Sequence, residues 1–424
     1  MNELAEVIFS SCADGDQVSC NVWDFRNATN LMTYKGGGTL QKRSLCVLRS
    51  EYVLAANSSK PLLHIWPINS QEQTTQVRFV TPGIVNALAI SLDGLYLIAA
   101  VQETIYIWNL TSGRMLNMIS KHYQPIKSLC FTSDGSHFIS AGQDGAILVW
   151  NLTQIVSKLD DNQTPLYTFT DHGLGITDIF IGIGGIRSFM YSVSLDRTCK
   201  IYDLCIGNLL LNVVFAEALY SVVANSLETR VYVGTGEGNI YEINIGSVPR
   251  TKEYHMEVEK NANFSGHTPN TSVDCLVLSI DGQTLLSGGQ DKLVYIWHIS
   301  SKQLIRTIQN KGSIMNIKIQ LTNVNTFQSE NKQRNLFNGN LQRIMESTEV
   351  DEHESVEVLV TQPNIEDTYE KEQSVDADLS CLHFNVKDDS AQNITELRAE
   401  IQRLKKINKS LFLESALHIL NVKK

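Results

Sequence analysis

The 424-residue sequence predicts an all-β fold, a seven-bladed β-propeller, followed by an acidic linker and a C-terminal α-helix or coiled coil. Three observations carry that prediction. An aromatic residue recurs seven times, each time inside an apolar, β-branched run that ends in a turn. Its spacing is close to the length of one four-stranded blade. The last strand of the repeat region has no successor of its own and matches a strand missing at the start.

The seven copies are Val22-Trp23-Asp24-Phe25, Ile65-Trp66-Pro67-Ile68, Ile107-Trp108-Asn109-Leu110, Val149-Trp150-Asn151-Leu152, Ile201-Tyr202-Asp203-Leu204, Ile240-Tyr241-Glu242-Ile243 and Ile296-Trp297-His298-Ile299. The aromatics lie 43, 42, 42, 52, 39 and 56 residues apart. Four short strands with their turns fill ~40–45 residues, the period of a WD-type blade. Asp93-Gly94, Asp134-Gly135 and Asp281-Gly282 fall 15, 16 and 16 residues before Trp108, Trp150 and Trp297. Asp-Gly suits a tight hairpin, whose turn needs positive φ. Second turns follow at Gly142-Gln143-Asp144-Gly145 and Gly289-Gln290-Asp291-Lys292.

Three copies carry the polar signature of WD repeats: His122, Ser140, Asp144 and Trp150; His172, Ser192, Asp196 and Tyr202; and His267, Ser287, Asp291 and Trp297. Ser and Asp precede the aromatic by 10 and 6 residues each time. An Asp that accepts from His, with Ser linking His to Trp, satisfies polar groups inside a blade. On paper each set is also a Ser-His-Asp triad. Three parallel copies, with the Ser in mid-strand rather than on a nucleophile elbow, argue for architecture. No catalytic residue, cofactor or metal ligand is expected.

At the N-terminus, residues 7–12 and 18–23 read as the second and third strands of a blade whose first strand is absent. At the far end, Lys302 to Ile308 reads as a fourth strand and Ile314 to Leu321 as one more. That strand is expected to complete the N-terminal blade and close the ring, which removes exposed sheet edges. The propeller is therefore expected over 1–321.

Residues 322–390 lose the periodicity. They carry 15 acidic and 5 basic side chains and are expected to be a mostly disordered linker. Over 391–424 the balance reverses, with 3 acidic and 7 basic side chains. There Ile394, Leu397, Ile401, Leu404, Asn408 and Leu411 form a heptad seam, with Asn408 at an a position. The seam reads either as self-association through a coiled coil or as an amphipathic helix docked on a partner.

No apolar run approaches the ~18 residues of a membrane span, and the N-terminus carries no secretory pattern. Eight cysteines stand singly, without zinc or disulfide spacing, which points to a reducing compartment. With a net charge of −10 and no basic platform, a surface for sequence-specific nucleic-acid binding is not expected.

The whole chain resembles the WD repeat-containing protein 18 family. The likeness is carried by Ser19-Cys20-Asn21-Val22-Trp23-Asp24, Leu31-Met32-Thr33-Tyr34-Lys35-Gly36-Gly37 and Glu51-Tyr52-Val53-Leu54-Ala55-Ala56. The most specific run is Lys121-His122-Tyr123-Gln124 through Ser136-His137-Phe138-Ile139-Ser140 to Val149-Trp150. Ser194-Leu195-Asp196-Arg197-Thr198, Lys302-Gln303-Leu304-Ile305-Arg306-Thr307 and Leu404-Lys405-Lys406-Ile407-Asn408-Lys409-Ser410-Leu411-Phe412 complete it. The resemblance implies a non-catalytic scaffold subunit of the rixosome, a nuclear complex that matures the large ribosomal subunit. Implied partners are a helical-repeat scaffold rich in Pro, Glu and Leu and a second helical-repeat subunit. Through them come a spacer-RNA endonuclease, a polynucleotide kinase, a SUMO protease, the midasin ATPase and the pre-ribosomal particle. Implied locations are the nucleolus and nucleoplasm.

Two other functions compete. Trp23-Asp24-Phe25-Arg26 is a W-D-x-R match of the kind used by substrate receptors of cullin ubiquitin ligases. A cytoplasmic assembly scaffold is the other, since the sequence has no clear nuclear import run. An enzyme would need a phosphate loop, a metal cluster or an isolated catalytic constellation, and none is present in the sequence.

Overall fold

The computed structural model describes residues 4–14, 18–74, 77–157, 163–247, 252–256, 263–327, 337 and 340–344. They form a seven-bladed β-propeller. Each repeated aromatic stands on the third strand of its blade: Trp23 on Cys20–Asp24, Trp66 on Leu62–Pro67, Trp108 on Thr104–Asn109, Trp150 on Ile147–Asn151, Tyr202 on Thr198–Asp203, Tyr241 on Ile240–Asn244 and Trp297 on Leu293–His298. Side chains alternate across a strand. Both faces of these strands meet neighbouring blades, so the β-branched residue before each aromatic is buried, as are six of the aromatics, while Trp23 is half-buried.

The core is a ring of seven apolar clusters, one in each gap between adjacent blades. Trp66 packs with Val7, Phe9 and Tyr34 of the first blade, and Trp150 with Ile98, Ile105 and Ile119 of the third. The Asp-Gly pairs make the first hairpin of blades 3, 4 and 7, with Gly94, Gly135 and Gly282 at φ of 71°, 69° and 67°. In each hairpin the Asp Oδ1 accepts a backbone N–H two residues on, at 3.0, 3.1 and 2.9 Å.

Ring closure is a shared blade. Ile314–Asn323 pairs antiparallel with Leu4–Cys12, from Leu4 opposite Asn323 to Cys12 opposite Ile314. Cys20–Asp24 and Asn30–Tyr34 complete that sheet.

The inner strands are stitched by short side chains. Thr177 and Ser221 donate to the Leu219 and Val273 carbonyls of the next blade at 2.8 and 2.7 Å. The thiols of Cys46, Cys130 and Cys275 do the same to Leu88, Ile179 and Met315 at 3.6, 3.4 and 3.3 Å. These cysteines behave as small core residues with a weak donor. Burial pushes the Cys275 thiol up to about 11 and Cys199 to about 12.

Two features depart from the sequence reading. Blade 5 has a fifth strand, because Glu253–His255 adds in parallel to Asn208–Val214. The extra strand accounts for part of the long spacing between Tyr241 and Trp297. The second departure is a correction to the expected linker at 322–390. Its first strand residues continue the closing strand to Asn323, and a 3₁₀ turn, Val324–Phe327, buries Phe327 against the first and second blades. Farther on, Phe337 and Leu341 are buried between blades 2 and 3. Apolar anchors hold these residues despite the polar composition around them. The rest of 322–390 and all of the 391–424 helix lie outside the described residues.

Candidate functional site

The three polar sets each come together. In blade 4, Trp150 Nε1 donates to Ser140 Oγ at 3.0 Å. Ser140 Oγ lies 2.8 Å from His122 Nε2, and His122 Nδ1 lies 3.1 Å from Asp144 Oδ2. In blade 7 the distances are 2.8 Å from Trp297 Nε1 to Ser287, 2.7 Å from Ser287 to His267 and 2.7 Å from His267 to Asp291. In blade 5, His172 lies 2.7 Å from Ser192 and 2.9 Å from Asp196. Tyr202 has no indole N–H for Ser192, and its ring packs 4.4 Å from that of Phe169.

The bonds of the two tryptophan-bearing sets share one direction. In blades 4 and 7 the serine hydroxyl accepts from the indole and is left to donate to Nε2, which assigns a histidine proton to Nδ1, facing the aspartate. Burial lowers the His122 pKa, and the Asp144 carboxylate only partly offsets it. Burial works to raise the carboxyls of Asp196 and Asp291. Hydrogen bonds, from His172 and Thr198 in one case and His267 in the other, outweigh it and hold both below the ordinary carboxylate range.

This connectivity is also that of a hydrolytic triad. What separates the two is access: Ser140, Ser192 and Ser287 are each 0% exposed. A serine sealed mid-strand has no path to a substrate carbonyl and no room for an oxyanion. The sets do other work. Asp144 Oδ2 also accepts the Tyr123 N–H at 3.1 Å, and Asp196 Oδ2 accepts the Gly173 N–H at 3.0 Å. The networks thereby fix the loops that enter blades 4 and 5 at one end of the propeller.

Where the polar set is absent, other groups stand in. Ile98 and Gln102 occupy the Ser and Asp positions of blade 3. Its Trp108 Nε1 donates instead to the Gln342 carbonyl at 2.8 Å. Gln342 N donates to Gly113 O at 2.9 Å, its Oε1 accepts the Met115 N–H at 3.0 Å, and Asn340 Oδ1 accepts the Arg78 N–H at 2.8 Å. Phe337 stacks edge-on against Tyr52 and Phe79, 5.0 and 5.3 Å away. Trp66 Nε1 donates to Lys35 O and Trp23 Nε1 to Ser10 Oγ, both at 2.9 Å. In the W-D-x-R match, Asp24 Oδ1 accepts the Arg26 N–H at 3.0 Å, and Arg26 is exposed.

The channel holds residues the sequence reading did not single out. Arg43, at φ +58° on the segment entering blade 2, reaches across the axis. Its guanidinium pairs with Asp178 of blade 5 and donates to the Tyr220 carbonyl of blade 6 at 2.9 Å. Lys42 pairs with Asp274 of blade 7 at 2.8 Å. Asn316 of the closing strand clamps the segment: its Nδ2 donates to Gln41 O at 2.8 Å and to Ser11 Oγ at 2.9 Å, and its Oδ1 accepts the Ser44 N–H at 3.2 Å. Burial lowers the Arg43 pKa. Four inner strands are thus cross-linked through one loop. No group of His, Cys, Asp and Glu suited to a metal occurs among the described residues, and none of their helices is long and apolar enough to cross a membrane.

Fold and networks define the class: a WD-repeat β-propeller, a fold that is typically non-catalytic. The family model described as WD domain, G-beta repeat matches residues 113–151 and 259–298, the parts of the chain that bear the fourth-blade and seventh-blade sets. The chain is 33% identical to WD repeat-containing protein 18 of Danio rerio, over 97% of each chain. It is 34% identical to the Homo sapiens protein of that name, covering 93% of each. The chain belongs to the WD repeat-containing protein 18 family. It is also 27% identical to Pre-rRNA-processing protein pro-1 of Caenorhabditis briggsae, over 74% of this chain and 60% of that protein.

Proposed function

We propose that the chain is a non-catalytic scaffold subunit of the rixosome, a nuclear complex required for internal-spacer processing of pre-rRNA and for maturation and export of the large ribosomal subunit. The observation that carries this reading is family membership together with a relative named as a pre-rRNA-processing protein. The sealed serines support the non-catalytic part: all three triad-like sets spend their hydrogen bonds inside blades.

In this role the propeller offers rigid loop ends to protein partners. These are the Pro-, Glu- and Leu-rich helical-repeat scaffold and a second helical-repeat subunit, and through them the endonuclease, kinase, SUMO protease and midasin ATPase. The heptad seam over 391–421 pairs with a second copy and brings two propellers onto one assembly. The chain works in the nucleolus and nucleoplasm. Affinity purification at endogenous level, identifying both protein and RNA, tests the reading. Recovery of large-subunit precursors with the helical-repeat partners supports it. Recovery of a ubiquitin-ligase adaptor without pre-ribosomal material replaces it with the receptor alternative that Trp23-Asp24-Phe25-Arg26 suggests.

A further inference from the structure

The stretch that gives Trp108 its partner also builds a pocket on the outer flank of the propeller. A cavity of about 520 Å³ lies between residues 340–343 and the outer strand of blade 2, with the turn before Leu62–Pro67 beside it. Its size falls in the ~300–1,000 Å³ range of ligand pockets. It shares no lining residue with the cavities of the channel. Leu62, Val80 and Leu341 form its apolar wall. Lys60, Arg78 and Arg343 line it as well, and none of its lining residues is acidic.

All three cations are exposed. Among the described residues, their side chains make no hydrogen bond or ion pair. Other arginines are spent, Arg43 on Asp178 and Arg230 on Glu242. The backbone that carries the three is nevertheless fixed. Asn57 Oδ1 accepts the Ser59 and Lys60 N–H groups at 2.9 and 3.0 Å, and Asn340 Oδ1 accepts the Arg78 N–H at 2.8 Å. Gln342, next to Arg343, is held by Gly113 and Met115. Binding here therefore has side chains to order and little backbone.

Three uncompensated cations repel one another, and an incoming anion relieves that repulsion. Arginine takes a carboxylate through two parallel N–H···O bonds. A free oxyanion leaves the apolar wall unused, whereas a peptide with one apolar side chain among its carboxylates uses both. An RNA strand fits less well, because no aromatic side chain lines the pocket to stack a base.

We infer that this flank pocket docks an acidic segment of a partner protein, with carboxylates on Arg78 and Arg343 and one apolar side chain against Leu62, Val80 and Leu341. The inference rests on the scaffold reading and assigns one of its contact surfaces. The full chain is titrated against a fluorescein-labelled Glu-rich decapeptide containing one Leu. It is titrated also against the same peptide with Gln for every Glu, against the peptide with Ser for the Leu, and against a single-stranded RNA oligomer. Saturable binding of the first peptide is expected, and Ser for Leu weakens it roughly tenfold. Arg78→Glu and Arg343→Glu, exposed changes that spare the Gln342 bonds, each weaken it roughly fivefold or more with the melting temperature unaltered. Lys252→Glu, an exposed change beside blade 5, leaves it within about twofold. No binding, equal binding of the Gln or the Ser peptide, indifference to both arginine changes, or RNA binding that they abolish each overturns the site. A dimer that Arg78→Glu dissolves overturns it too, and gives the pocket to a second copy. Failure of the scaffold reading shows separately, as purification without pre-ribosomal proteins.

Discussion

Trp108 and Gln342 are 234 residues apart in sequence and are joined by one hydrogen bond, indole N–H to carbonyl, at 2.8 Å. The tail thus supplies the partner that Ser140 and Ser287 give to Trp150 and Trp297. Truncating Phe337 or Leu341 opens space between blades 2 and 3, and Phe337→Ala is expected to cost about 3 kcal/mol. A chain ending at residue 330, compared with one ending at 347, should melt several degrees lower with the propeller still folded. Equal melting temperatures contradict the docking.

The closing strand carries a larger load. A chain ending at 312 loses every ladder bond between Ile314–Asn323 and Leu4–Cys12, each worth about 0.5–1.5 kcal/mol, and the Asn316 clamp on the Arg43 loop. It also exposes edges in two neighbouring blades. Aggregation or non-cooperative unfolding is the expected outcome. A soluble, cooperatively melting 1–312 chain contradicts it.

Asp144 has three roles at once: partner of His122, and acceptor of the Tyr123 and Ala146 N–H groups. Asp144→Ala leaves these donors short and is expected to cost about 1–3 kcal/mol. The loss should appear in melting temperature and cellular abundance, with no turnover to lose. Full stability beside an abolished hydrolytic activity would reverse the assignment.

The networks also set a pH dependence. In the unfolded chain His122 takes up a proton as pH falls through its ordinary 6.5, while burial in the native blade resists it. Stability therefore falls from pH 6.5 downward until the native histidine protonates. The lowered carboxyls of Asp196 and Asp291 act in the same direction at more acid pH. Their stabilisation is present above the ordinary 3.8 and is lost as pH falls through the native values. Denaturant midpoints measured from pH 7.5 to 3 should fall in both windows. A stability maximum near pH 5 contradicts the neutral-histidine network.

The blades were legible because the fold repeats one local problem. Every third strand sets an aromatic directly after a buried β-branched residue, and the first hairpins of blades 3, 4 and 7 each need a residue at positive φ. The triad-like sets were legible for the same reason, as fixed offsets from Trp150, Tyr202 and Trp297. The partner of Trp108 was not, since Ile98 and Gln102 erase the offsets and Gln342 lies in a polar stretch without period. Phe327, Phe337 and Leu341 are single apolar residues among Asn, Gln and charged neighbours, so composition hid their burial. Arg43 was hidden differently. Its partners Asp178 and Tyr220 are brought near only by closure of the ring, and no local pattern marks a residue that spans it.

The central claim is that this chain holds a pre-rRNA-processing assembly together and cuts nothing itself. The most direct measurement is acute depletion in cells of the source organism, followed within about one doubling by gel analysis of large-subunit rRNA precursors. Two re-expressed chains complete the test: the unaltered one and Ser140→Ala/Ser192→Ala/Ser287→Ala, selected at matched abundance. The account predicts precursors with uncleaved internal spacer on depletion, and rescue by both chains. Normal precursor profiles after depletion, or rescue by the unaltered chain alone, would contradict it.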